Sequence, residues 1–156
     1  MNIIDGDIIE VVERCAVTIP EGQDYPDPAL LIHQVNCVGV MGGGVAKAVR
    51  DRWPLVYDAY KESEWVLGDI QVVLAAPRIH VCNLAGQYDI HGSYPLTNYK
   101  ALETGLKKIA EWQNHPRLRT FLPYLLGCGL GGGDWKIVLP LIEKYLPWAT
   151  LVRLPE

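Results

Sequence analysis

The sequence predicts an α/β sandwich around a mixed sheet, and three observations carry that expectation. Strand-like and helix-like segments alternate along the chain, as they do where helices cover a largely parallel sheet. The run Ala29-Leu30-Leu31-Ile32-His33-Gln34-Val35 is apolar and bounded by turn residues, the pattern of a strand buried on both faces. Two glycine clusters each follow an apolar strand and precede a helix.

The elements follow in order. Asn2–Ile4 reads as a first strand, and Asp5-Gly6-Asp7 supplies turn chemistry and then a helix N-cap. Residues Ile8 to Arg14 place Ile8, Val11 and Val12 on a short helix face. Pro20 to Pro28, with three prolines and a glycine, is a surface loop, and Ala29–Val35 is the buried strand. Gly44–Trp53 has helical spacing through Val45, Ala48 and Val49, and Pro54 ends it. Leu55–Trp65 is a second helical stretch leading to Gly68. Ile70–Ala76 and Ile79–Asn83 are two short strands separated by Pro77, and Ala85–Leu96 is a loop. Thr97 caps a long amphipathic helix to Trp112, with Ala101, Leu102, Leu106 and Ile109 on its apolar face. After His115-Pro116, Leu118–Leu126 is a strand, Asp134 caps a last helix over Trp135–Tyr145, and Thr150–Leu154 closes the sheet.

Composition narrows the function classes. With 156 residues, 49% of them hydrophobic and 21% charged, the chain can build a core without disulfides or metal, and its composition argues against disorder. A net charge of −4 argues against a sequence-independent nucleic-acid coat, which needs a basic surface. Cys15, Cys37, Cys82 and Cys128 are spread singly, with no zinc spacing, and read as reduced thiols. The acidic start lacks a signal peptide's basic region, and no stretch approaches the roughly 18 apolar residues of a membrane span. The expectation is one cytoplasmic domain over residues 1–156, a monomer without cofactor, metal or membrane partner.

Glycine is the residue out of line: 15 in 156, against about 7% on average. Four lie in Gly39-Val40-Met41-Gly42-Gly43-Gly44 and five in Gly127-Cys128-Gly129-Leu130-Gly131-Gly132-Gly133. Glycine there permits positive φ and lets a ligand touch the backbone. A helix N-terminus beyond each cluster offers free N–H groups to an anion, so two such loops at one sheet edge suit a diphosphate. Neither is a Walker A loop, because no Gly-Lys-Ser/Thr follows. Gly127-x-Gly129-x-x-Gly132 matches the dinucleotide fingerprint, but the further strand and acidic residue it needs are missing; Val152 stands about where the acid belongs. Asp7, at a strand end, suits either a cap or an acceptor for an exocyclic amine such as that of adenine.

Gly6-Asp7-Ile8, the segment Leu31 to Ala46 and the segment Gly127 to Trp135 resemble a macrodomain, in order and spacing over essentially the whole chain. The resemblance implies a three-layer α/β/α fold that binds ADP-ribose. It is strongest toward the branch holding the yeast-type ADP-ribose 1″-phosphate phosphatase, phage macrodomains and antitoxins that remove ADP-ribose from DNA. It implies that Asp7 binds the adenine amine with Ile8 beside it, and that Asn36 meets the distal ribose. Gly42, Gly43, Gly44 and Val45 form a first phosphate loop; Gly127, Cys128, Gly129, Leu130, Gly131 and Gly132 form a second, with Tyr124 just before it.

Two departures from the usual pattern bear on chemistry. His33 stands where the common motif has an asparagine, as in the yeast-type phosphatase. Gln87 stands nearest the position where related ADP-ribosyl hydrolases carry a lysine, and glutamine forms no lysyl adduct. His33, Asn36 and Asp134 are therefore the candidate catalytic residues: His33 to orient water or protonate a leaving oxygen, Asp134 chiefly as a cap. The leading expectation is hydrolysis of ADP-ribose 1″-phosphate. Removal of ADP-ribose from protein or nucleic acid, and binding without turnover, are the alternatives. A nucleic acid would then be a partner only when ADP-ribosylated, with Lys47, Arg50 and Arg52 as a local basic patch or simply a solvated helix face.

Overall fold

The apolar run Ala29–Val35 becomes an interior strand whose alternate side chains are buried on both sides of a six-stranded sheet. A computed structural model describes residues 1–113 and 115–155. Its elements are β1 (Asn2–Asp5), α1 (Ile8–Val17), β2 (Ala29–Val35), α2 (Gly44–Arg52), α3 (Pro54–Glu62), β3 (Ile70–Ala76), β4 (Ile79–Ala85), α4 (Tyr99–Trp112), β5 (Arg119–Pro123), α5 (Trp135–Tyr145) and β6 (Thr150–Arg153).

The strand order is β1-β6-β5-β2-β4-β3, parallel throughout except for β3 against β4. Period-two alternation sorts β2 between two cores. Ala29 and Leu31 pack with Val12 of α1, Val49 of α2 and Val56 of α3. Leu30 and Ile32 pack with Leu102, Leu106 and Ile109 of α4 and with Val138 and Ile142 of α5. Each such fully buried aliphatic side chain contributes about 1.5–3 kcal/mol. The mixed-sheet α/β/α sandwich expected from the sequence is the observed architecture.

Several boundaries move for local reasons. The first helix runs one turn past Arg14, to Val17, and β4 continues past Asn83 to Ala85. Trp53 ends α2 and caps α3, with Pro54 at the first helical position, where its missing N–H costs nothing. The second of these helices stops at Glu62 rather than Trp65. The fifth strand is Arg119–Pro123, shorter than Leu118–Leu126, because Leu125 turns into the left-handed region (φ 67°) and Leu126 N–H folds back to Pro123 O. The closing strand ends at Arg153, one residue short of Leu154.

Thr97 does not cap α4. Asn98 does, its side chain accepting from Ala101 N–H. The Thr97 hydroxyl instead donates to Gly127 O at 2.6 Å, tying the start of α4 to the second glycine cluster.

Helix α4 rides close on β4 because Gly105 faces Leu84: a Cβ on Gly105 would lie 2.5 Å from Leu84 Cγ. Overpacking there costs about 1–3 kcal/mol, more than the roughly 1 kcal/mol that alanine gains in helix propensity. Gly105→Ala is expected to lower the urea midpoint without changing the slope; a midpoint at or above wild type would show that α4 can shift freely.

Candidate functional site

All five parallel strands end at one edge of the sheet, and two of their exits diverge. After β2 the chain turns to α2 on one face, whereas after β5 it turns to α5 on the other. Such a switch point leaves a crevice beyond the strand ends. Here it is a cleft of about 630 Å³, within the usual range for a small-molecule site. Its walls are Val40 and Gly42–Ala46 after β2, Gln87, Ile90, Tyr94 and Leu96 after β4, and Pro123–Gly127 with Gly129–Gly131 after β5. His33, Gln34, Val35 and Asn36 form its floor.

Of the five helix N-termini among the described residues, those of α2 and α3 lack a side-chain cap, and only that of α2 lies among the lining residues. Asp7 caps α1 by accepting from Ile9 and Glu10 N–H, both on Oδ1; Asn98 caps α4; Asp134 caps α5 by accepting from Lys136 N–H. Helix α2 starts from Gly43, which has no side chain to give. Its first amides are left bare, and Gly42 to Ala46 all line the cleft. Unpaired N–H groups and the positive end of the helix dipole together favour an anion there. No Asp, Glu, Lys or Arg lies among the lining residues, so any charge in the cleft is met by backbone.

The first glycine loop is held by Asn36 and Tyr60. Asn36 Oδ1 accepts from Val38 N–H (3.0 Å) and Val40 N–H (3.3 Å), and Asn36 Nδ2 donates to Val40 O (2.7 Å). The Tyr60 hydroxyl lies 2.6 Å from Asn36 Oδ1 and accepts from Gly39 N–H at 3.1 Å. Burial pushes the Tyr60 phenol up to about 12, so it stays protonated. Most of the hydrogen-bonding capacity of Asn36 is thus spent shaping the loop.

The second loop is held by Gln34 and Thr97, neither of which the sequence singled out for this. Gln34 Nε2 donates to Gln87 Oε1 and to Thr97 Oγ1, each at 2.9 Å, and Thr97 passes the bond on to Gly127 O. Gly131 O accepts from Leu96 and Thr97 N–H. Glycine is required at several of these positions by packing: a Cβ on Gly131 would strike Thr97, and one on Gly132 would strike Tyr94. Gly129 faces open space. The two loops meet where Leu130 packs on Gly43, the distance from Leu130 Cδ1 to a Cβ there being 2.7 Å.

Of the residues the sequence nominated, the cleft gathers His33, Asn36, Gly42, Gly43, Gly44, Val45, Tyr124, Gly127, Gly129, Leu130 and Gly131. Asp7, Ile8, Cys128, Gly132 and Asp134 are outside its lining. Asp7 is an exposed cap and Ile8 packs into the core under α1. Asp134 is also an exposed cap, whose own N–H donates to Tyr99 Oη, so the geometry gives it no catalytic contact. Cys128 donates its thiol to Leu126 O, and burial with the nearby Asp134 charge pushes it up to about 11, which keeps it a thiol. Tyr124 packs against Trp135 with the rings tilted by 59° (centroids 5.1 Å apart), and the Arg153 guanidinium lies 5.5 Å from its ring centroid. The basic patch on α2 is largely neutralised: Lys47 pairs with Asp51 and Arg52 with Glu13, while Arg50 lies over the Tyr57 ring.

His33 is buried, with Nε2 2.5 Å from Asn83 Oδ1 and Nδ1 without a hydrogen-bond partner. Burial lowers its pKa to about 4, against a smaller opposing effect of the Asn83 bond. The imidazole is neutral at physiological pH.

No protein-family model matches the chain. Over 131 residues it is 32% identical to a DNA ADP-ribosyl transferase–DNA ADP-ribosyl glycohydrolase fusion protein of Thermosipho africanus, covering 72% of this chain and 34% of that protein. Over 37 residues it is 51% identical to an ADP-ribose 1″-phosphate phosphatase of Aspergillus oryzae, covering 24% and 18%. The chain thus spans about a third or less of the length of these two relatives. Among solved structures, a protein of unknown function from Bacteroides thetaiotaomicron superposes with a TM-score of 0.81 at 25% identity, covering 99% of this chain and 97% of that one. A macrodomain protein from Streptomyces coelicolor gives 0.68 at 27%, covering 86% and 93%. Thermosipho africanus DarTG in complex with ADP-ribose gives 0.68 at 28%, covering 82% and 38%.

The buried histidine makes a stability prediction whose sign follows from its lowered pKa. Below pH 6.5 the unfolded chain binds a proton at His33 and the folded chain does not, so stability falls as pH drops from 6.5 toward 4. The slope from this residue approaches about 1.4 kcal/mol per pH unit. Urea midpoints measured over that window are expected to fall more steeply in wild type than in His33→Gln; parallel curves would mean that His33 titrates normally in the fold.

Proposed function

The chain belongs to the macrodomain family, and we propose that its cleft binds ADP-ribose and hydrolyses ADP-ribose 1″-phosphate to ADP-ribose and inorganic phosphate. The observation that carries the binding reading is the bare N-terminus of α2 in a cleft without charged side chains. A diphosphate is met there by Gly44, Val45 and Ala46 N–H from one loop and by the Gly127–Gly131 backbone from the other. The adenine lies toward the ends of β1 and β6, where Asp7 keeps Oδ2 for the exocyclic amine and Ile8 sits beside it. Tyr124, braced by Trp135 and Arg153, forms the wall on that side. Asn36 has one Nδ2 hydrogen left for the distal ribose after its bond to Val40 O.

His33 carries the catalytic half, because it is the one imidazole among the lining residues. It orients a water for attack on phosphorus. The water oxygen joins phosphorus and the P–O bond to the ribose breaks. The electron pair of that bond goes to the ribose oxygen, which takes up the proton the water gives up. Loop amides stabilise the charge that builds on the phosphoryl oxygens.

Removal of ADP-ribose from DNA is the second reading, favoured by the longer of the two curated matches. Against it, no lysine lines the cleft: Gln87 is there, its amide held between Gln34 and Asp89 O. The pairing of Lys47 and Arg52 with acidic neighbours also weakens the surface that would meet DNA.

Calorimetry is expected to show ADP-ribose binding in the micromolar range, weakened at least about tenfold in Gly44→Asp, which seats a carboxylate at the anion site. Phosphate release from ADP-ribose 1″-phosphate is expected to fall at least about a hundredfold in His33→Ala while binding persists. Absence of binding heat would refute the family ligand. ADP-ribose release from modified DNA, without phosphate release from the 1″-phosphate, would replace the first reading by the second.

A further inference from the structure

His33 on β2, Asn83 on β4 and Gln71 on β3 stand in one row across three neighbouring strands. His33 is directly opposite Asn83, and Asn83 is directly opposite Gln71. Their side chains are joined in the same order. His33 Nε2 lies 2.5 Å from Asn83 Oδ1, and Asn83 Nδ2 donates to Gln71 Oε1 at 3.0 Å. Gln71 Nε2 donates to Ala59 O at 3.0 Å and to Ser63 Oγ at 2.9 Å. Ala59 belongs to the last turn of α3, where carbonyls have no donor within the helix.

A backbone carbonyl only accepts, and this gives the row a single polarity. Gln71 must turn Nε2 to Ala59, and therefore Oε1 to Asn83. Asn83 must then turn Nδ2 to Gln71, and therefore Oδ1 to His33. An amide oxygen cannot donate, so the proton of the neutral imidazole sits on Nε2. The other nitrogen, Nδ1, is a buried lone pair with no partner, on a residue of the cleft floor.

We infer that Asn83 and Gln71 are positioning residues that lock His33 in its Nε2–H tautomer, reserving Nδ1 as the hydrogen-bond acceptor for the attacking water. The inference rests on the phosphatase reading above and decides between the two roles open to the histidine. With Nε2–H committed to Asn83 and Nδ1 bare, His33 has no proton to give a leaving ribose oxygen. A phosphate ester dianion carries acceptors only, so it gains nothing from Nδ1. A water gives one hydrogen to Nδ1 and keeps its lone pairs for phosphorus. Burial, which holds the ring neutral down to about pH 4, keeps a second proton off Nδ1. Selecting one imidazole tautomer through a fixed hydrogen-bonding neighbour is the general device by which a histidine is made a reliable acceptor.

The test uses the partly exposed Gln71, where substitution spares the core. Gln71→Glu still presents an acceptor to Asn83 Nδ2, whereas Gln71→Lys presents a donor and turns the Asn83 amide round. Long-range proton–nitrogen correlation spectra of the ¹⁵N-labelled protein read the His33 tautomer directly, and phosphate release from ADP-ribose 1″-phosphate gives kcat and KM. Wild type and Gln71→Glu are expected to show protonated Nε2. Gln71→Lys is expected to populate protonated Nδ1, with kcat down roughly tenfold or more and KM within about twofold. Protonated Nδ1 in wild type, or an unchanged tautomer in Gln71→Lys, overturns the lock. Full phosphate release by His33→Ala overturns the role given to Nδ1 toward the attacking water, whereas no phosphate release by wild type, alongside the expected tautomers, leaves the lock standing and removes the phosphatase reading instead.

Discussion

Everything at the cleft depends on a helix that begins without a cap. Helices α1, α4 and α5 each close first-turn amides with an Asp or Asn side chain; α3 and α2 do not, and of these two only α2, whose cap position is Gly43, starts at the cleft. Those amides lie where the chain leaving β2 and the chain leaving β5 part to opposite faces of the sheet. The unpaired donors are an energetic debt of the free protein that an anion removes. The surrounding cleft is apolar and uncharged, which strengthens each backbone hydrogen bond to a bound anion and sets no opposing ion pair.

The rest of the site keeps that helix start open and in place. Asn36 and Tyr60 shape the loop before α2 from beneath, and Gln34 with Thr97 ties the facing loop to the start of α4. These four side chains are buried or partly so and are bound mostly to main chain and to one another. Their work is to hold two glycine-rich segments at a fixed separation, so little is left for loop ordering when a ligand arrives. On the proposed reading, binding and chemistry are divided between backbone and a single imidazole, a division compatible with the net charge of −4.

The sequence made the sheet, the two cores and the glycine loops legible because periodicity and turn chemistry are local. Ala29–Val35 announced a doubly buried strand, and nine glycines in two strand-to-helix loops announced bare backbone. What it concealed was register and competition between partners. Thr97 has the residue type of a cap, but Gly127 O claims its hydroxyl and Asn98 caps instead. The glycines of the second loop looked uniformly ligand-directed, yet Gly131 and Gly132 are small because Thr97 and Tyr94 press on them. Asp134 combined two readings in the sequence, and only the helix start it serves shows in the geometry. The row His33–Asn83–Gln71 spans three strands, and no spacing along the chain reveals which residues face one another across a sheet.

A crystal structure of the protein with ADP-ribose bound tests the role of the uncapped helix most directly. The expected result is a diphosphate whose oxygens accept from the main-chain N–H groups of Gly44, Val45 or Ala46, with the Gly127–Gly131 segment on its other side and no Lys or Arg in contact. A diphosphate seated away from the start of α2, or held by side-chain cations, would contradict it.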